Sequence, residues 1–188
     1  SFNQDNVILF VGSSAIDNGE LTEKICNLPW SCVITTSKKD GFGVEFANRR
    51  TPHRYISFSD LPINLFSRDN LPVIQLYGSE NEVPAELEEV EDYLRPSFVK
   101  KQAEKILNRV MSRMDIRTRM VVIGYNSNRA DEIPVETFIF SWQELRGGTI
   151  EFFNSDDNPS EMLKKSADKN RFIWYDGKLA DALADFSE

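Results

Sequence analysis

The chain has 188 residues, with 22 Lys and Arg against 30 Asp and Glu and a net charge of −8 at neutral pH. Folding a chain of this length removes about 70% of its surface from water, enough for one core without a metal or disulfide staple. With 40% hydrophobic and 28% charged residues, a fibrous or disordered chain is excluded, and the acidic balance sets nucleic acid outside the expected partners, because neutralising phosphates takes clustered cations.

No apolar run approaches the roughly 20 residues that cross a bilayer, and no charged-then-apolar leader precedes the first apolar run, so no membrane association is expected. Cys26 and Cys32 are the only cysteines and His53 the only histidine. A tetrahedral zinc site therefore lacks donors, and any mechanism with a histidine base must use His53. Two cysteines in a domain of this size suit a reducing cytoplasm, with a disulfide between them left open.

In chain order, residues 6–11 form a short continuous apolar run that ends in the small-residue turn Gly12, Ser13, Ser14, Ala15. Such a run suits a strand buried on both faces, as in parallel sheets. Leu21, Ile25 and Leu28 then recur at helical spacing over 17–27, with Asp17 and Asn18 as capping candidates. A second buried strand covers 31–36, led in by Pro29 and Trp30. Residues 41–72 read as an irregular basic loop region holding Arg49, Arg50, His53 and Arg54, with a short strand at 55–58. The next strand is 72–77. A run from 80 to 92 carries seven acids and no base, whereas 95–119 carries eight Lys and Arg against Glu104 and Asp115. Phe98, Ile106, Val110 and Met114 make 97–116 an amphipathic helix with a solvated basic face, within a helical insertion spanning 80–118. Strands at 119–125, 149–153 and 171–175 alternate with helices at 135–145, 158–169 and 178–186. Alternating βα units predict an α/β domain, a three-layer Rossmann-like parallel sheet with helices on both faces. The whole of 1–188 reads as one such domain, expected to belong to a longer protein and to adjoin that protein's other domains, with oligomerisation open.

Ligands of doubly wound sheets bind beyond the carboxyl ends of the strands, where strand order reverses. The ends after 11, 36, 76 and 123 thus carry the functional question. Backbone amides of the 12–15 turn, with the helix that follows, suit a phosphate, although the spacing is not the full G-x-G-x-x-G. The basic group Lys38, Lys39, Arg49, Arg50 and Arg54 reads first as a solvated face and second as a phosphate site. Trp30, Trp142 and Trp174 read as core aromatics.

Together these strand ends resemble the sirtuin-like family, including the bacterial sirtuin-like NAD hydrolases of antiviral defence proteins, over roughly 6–186. Pro29-Trp30 and Thr35-Thr36 are similar to the family's proline-tryptophan lead-in and Thr-Thr-Asn strand end. Gly124-Tyr125 is similar to its Gly-Tyr-Ser, and Asp176-Gly177 to its closing turn. The resemblance implies that NAD or ADP-ribose would lie against Gly12, Ser13, Ser14, Ala15, Thr36, Gly124 and Asn126. The chemical positions depart from the family. Ser37 stands for the asparagine, Lys39 for the aspartate, Tyr77 for the histidine base, Ser14 for the second glycine and Asn126 for the serine. Ser37 is too short for an asparagine's amide contacts, and a tyrosine titrates near ~10, far from the range of a general base. The expectation is a catalytically degenerate module, a pseudoenzyme requiring no cofactor or metal, that scaffolds or senses a nucleotide within a larger prokaryotic defence protein. Its alternative is an active NAD hydrolase with a rearranged site, using His53, Asp131 or Glu132. A nucleic-acid module built on 95–119 and 49–54 ranks last because of the net charge.

Overall fold

In the computed structural model of the chain, the described residues are 6–12, 19–36, 46, 52–56, 69–76, 94–125, 148–154, 161, 164, 165 and 172–176. The continuous apolar runs become strands with water on neither face, β1 (Val7–Val11) and β2 (Cys32–Thr35) being buried throughout. The helix between them, α1, is Gly19–Cys26. β3 (His53–Ile56) lies two residues earlier than the strand expected at 55–58, and β4 is Leu71–Gln75. α2 runs from Leu94 to Arg113, and then come β5 (Arg119–Ile123), β6 (Thr149–Asn154) and β7 (Phe172–Asp176). Of the helices expected at 135–145, 158–169 and 178–186, only residues 161, 164 and 165 are described, and these are helical.

All seven strands pair in parallel, in the order β3-β4-β2-β1-β5-β6-β7. Setting β3 aside, this is the 3-2-1-4-5-6 order of a doubly wound sheet, and β3 adds a strand outside β4. The fold is thus α/β and Rossmann-like. The chain winds outward from β1 to β2 in one direction, then returns from β4 across the sheet to β5 in the other. Right-handed crossovers require the two connecting helices to lie on opposite faces. They do. Ile25 and Cys26 of α1 join Val7, Leu9, Val33 and Val73 in one core, whereas Ile106, Leu107 and Val110 of α2 join Ile8, Phe10, Ile34 and Val122 in the other. α2 is therefore the crossover that carries the winding from one half of the sheet to the other.

Local chemistry secures both crossovers. After α1, the Trp30 indole is buried and its Nε1 donates to the Ile25 carbonyl at 2.7 Å, satisfying an acceptor at the helix end. The Ser31 Oγ then accepts from the Val7 amide at 3.2 Å, tying the start of β2 to β1. After α2, the Asp115 Oδ1 accepts from the Arg117 amide at 2.9 Å, and the Asp115 amide donates to Thr118 Oγ1 at 3.0 Å. This side-chain turn reverses the chain into β5.

Cys26 and Cys32 are both free and buried, and they sit in the cores on opposite faces of the sheet. The disulfide left open by the sequence is absent. Burial pushes the Cys32 thiol far above its ordinary range, and the nearby Arg54 guanidinium offsets only part of this. A buried thiol held protonated is inert. Among the described residues no helix is long and apolar enough to cross a membrane.

Candidate functional site

Strand order reverses between β1 and β5: β1 is flanked by β2 on one side and by β5 on the other. The crevice of a doubly wound sheet opens there, beyond the carboxyl ends. Val11 is in register with Ile123, and the Gly12 amide donates to the Ile123 carbonyl at 2.8 Å. The two strands therefore stay joined to their last residues and then leave the sheet through glycines, Gly12 on one and Gly124 on the other.

Gly124 has φ 67°, in the left-handed region. Along β5, Val121 and Ile123 face the α1 side of the sheet, and Met120 and Val122 the α2 side. Simple alternation would send residue 125 to the α1 side. The left-handed glycine reverses this, so that Tyr125 is buried on the α2 side, edge-on to Phe10 at 6.4 Å and to Phe152 at 5.9 Å. A side chain at position 124 would clash with its own carbonyl in this conformation. Gly124→Ala is expected to cost about 1–2 kcal/mol, read as a fall of several degrees in Tm, and Gly124→Asn less. Equal Tm for glycine and alanine proteins would show that the turn is not left-handed.

Next to these glycines, the carboxyl ends of β2 and β4 carry buried polar side chains in an otherwise apolar sheet. Thr35, Thr36 and Gln75 are all buried, with Thr35 in register with Gln75. Buried polar groups need partners, so their placement at one edge beside the switch point makes it the polar end of the sheet. The described ends of β1, β2, β4 and β5 carry no carboxylate, histidine, lysine or arginine. This edge is therefore polar through hydroxyls and an amide, and supplies no acid or base among the described residues.

Of the residues expected at the site, Gly12, Thr36 and Gly124 are brought to this one edge. Ser13, Ser14, Ala15, Ser37, Lys39, Tyr77 and Asn126 lie outside the described residues, as do Asp131 and Glu132. Sequence reasoning passed over Gln75, whose signal is an amide in the penultimate position of a buried apolar run. It also passed over the reversal at Tyr125, which a glycine directly before an aromatic at a strand end foreshadows.

His53 is elsewhere. It opens β3, in register with Leu71 at the amino end of β4, and its ring lies 5.2 Å from that of Phe46. β3 is three strand spacings from β1, about 14 Å, and its first residue is level with Val7, about 13 Å along the strands from Val11. A base must reach within about 3 Å of the proton it takes, so His53 does not serve a reaction at the switch point. Among the described residues no group of three His, Cys, Asp or Glu side chains could hold a metal ion. Compared with protein-family models and with curated proteins, the sequence matches none.

Proposed function

We propose that this chain is a nucleotide-sensing module on a sirtuin-like frame, which holds NAD or ADP-ribose at the switch-point edge without cleaving it. The observation that carries the reading is the pair of glycines, Gly12 and Gly124, at the ends of the two strands where order reverses. Two glycines at that point leave room for a pyrophosphate beside the strand ends with no side chain in its way, and the buried Thr35, Thr36 and Gln75 make the surrounding edge polar, as a ribose or base requires. Binding without turnover is supported by Ser37 and Tyr77 at the family's asparagine and histidine positions, and by the distance of His53 from the edge. In the setting that the resemblance implies, a larger prokaryotic antiviral defence protein, such a module reports the nucleotide to its neighbouring domains.

Thermal unfolding with NAD, ADP-ribose and ATP tests the reading. A ligand at a hundredfold excess over its Kd stabilises by about 2.7 kcal/mol, which raises Tm by about 5–10 °C for a chain of this size. The expected result is a saturable rise with NAD or ADP-ribose and no release of nicotinamide. A flat Tm with all three removes the nucleotide reading. Nicotinamide release that disappears on Tyr77→Ala or Ser37→Ala would establish the hydrolase instead.

A further inference from the structure

Lys101, Lys105, Arg109 and Arg113 recur at every fourth residue of α2, and Arg117 continues the interval into the turn that follows. All five are exposed. Among the described residues none of them takes part in an ion pair, the salt bridges there being Arg119–Glu151 and Lys164–Glu161. Four helical residues rise about 6 Å and turn about 40° beyond a full circle, so the four helix cations form one shallowly winding row about 18 Å long. The opposite side of α2 is occupied. Ile106, Leu107 and Val110 are buried against the sheet.

We propose that this row binds the phosphate backbone of a nucleic acid, in a manner indifferent to base sequence. A step of about 6 Å between cations matches successive phosphates along a strand rather than a single compact anion. The side chains between the cations fit the same ligand: Asn108 and Ser112 are exposed and polar, as are the residues that commonly contact phosphate oxygens. Glu104 is the only acid in α2. An acidic protein partner fits less well, since a stable protein interface has an apolar centre, and 101, 104, 105, 108, 109, 112 and 113 include no apolar residue. A membrane surface fits less well too, because the apolar face that would enter the lipid is committed to the core. The net charge of −8 does not decide the matter. Over 95–119 the count is eight cations to two acids, and at physiological salt a charge acts over about 8 Å.

The test is fluorescence anisotropy of the full chain with a labelled mixed-sequence DNA duplex and a labelled RNA, over a range of salt. With four to five phosphates neutralised, log K should fall against log salt with a slope of about −4, a loss of about 250-fold between 50 and 200 mM. Lys101→Gln, Lys105→Gln, Arg109→Gln and Arg113→Gln together should abolish binding, with each single change lowering the slope by about 1. Lys164→Gln, an exposed lysine elsewhere, should change neither. These substitutions face solvent, and an unchanged Tm confirms that the fold survives them. Binding of DNA, RNA or both supports the proposal and tells which is preferred. No binding to either at low salt overturns it, as does binding that the fourfold variant retains. A peptide of the acidic residues 80–92 that binds the row when nucleic acid does not would assign it to an acidic polypeptide and also overturn the proposal. The outcome is independent of the nucleotide reading, which is scored on Tm with NAD and ADP-ribose.

Discussion

Phe152→Ala is expected to destabilise the domain by about 3–5 kcal/mol, the usual cost of deleting a buried aromatic ring, and to lower Tm by about 10 °C. Phe152 stands mid-strand in β6 and is fully buried. Its ring stacks on Trp174 at 5.0 Å and 11°, lies 6.0 Å from Phe172, and meets Tyr125 edge-on. Removing it opens a cavity bordered by three aromatic rings, which cannot all collapse into the space because Phe172 and Trp174 are fixed on β7 and Tyr125 is buried just after β5. The change also touches the carboxyl edge, since Tyr125 loses a ring that packs against it after the Gly124 turn. Chemical denaturation measures the first effect. The second should appear as a weaker Tm response to ADP-ribose than the Tm loss alone accounts for. Phe152→Leu, which keeps most of the volume, should recover more than half of the stability. If alanine costs under 1 kcal/mol, the aromatic cluster is not the packed core of this half of the sheet.

A second large effect is expected at the ion pair between β5 and β6. Arg119 Nη2 donates to both Oε1 and Oε2 of Glu151 at 3.0 Å, with the glutamate side chain 9% exposed and the arginine 24%. The two partners are unequal, and so are their deletions. Arg119→Ala strands a carboxylate on the sheet face between Val121 and Ile173, the residues in register with Glu151, and should cost about 3 kcal/mol. Glu151→Ala leaves a guanidinium that can turn to water, and should cost about 1–2 kcal/mol. The double change removes both charges and should cost less than the sum, with a coupling of about 1–2 kcal/mol in a double-mutant cycle. Strictly additive single effects would mean that the pair is a solvated contact of little energetic worth.

Much of the strand content was readable because a parallel sheet buried on both faces asks only for continuous apolar residues, and 7–11, 32–35 and 119–123 supply them. The ends were less readable. Strands expected to run to 36, 77 and 125 stop at Thr35, Gln75 and Ile123, because the residue pattern alone does not mark where the ladder of hydrogen bonds ends. β3 begins at His53 because it is an edge strand set by pairing with β4. Polar residues are tolerated there, so the apolar pattern alone shifts it to 55–58. At the candidate site, Gly12, Thr36 and Gly124 were legible as strand-end residues, whereas Gln75 was hidden by the apolar run around it.

By itself the sequence determined the buried apolar strands of an α/β sheet and the solvated basic face of α2. These follow from periodicity and residue chemistry, which act over a few neighbours. Only the tertiary structure decided the strand order, the opposite faces taken by α1 and α2, the separation of His53 from the switch point, and the reversal that buries Tyr125 on the α2 side. Each of these depends on which distant segments pair. Pairing is chosen by the burial and backbone hydrogen bonding of the whole sheet at once, and no local pattern encodes it.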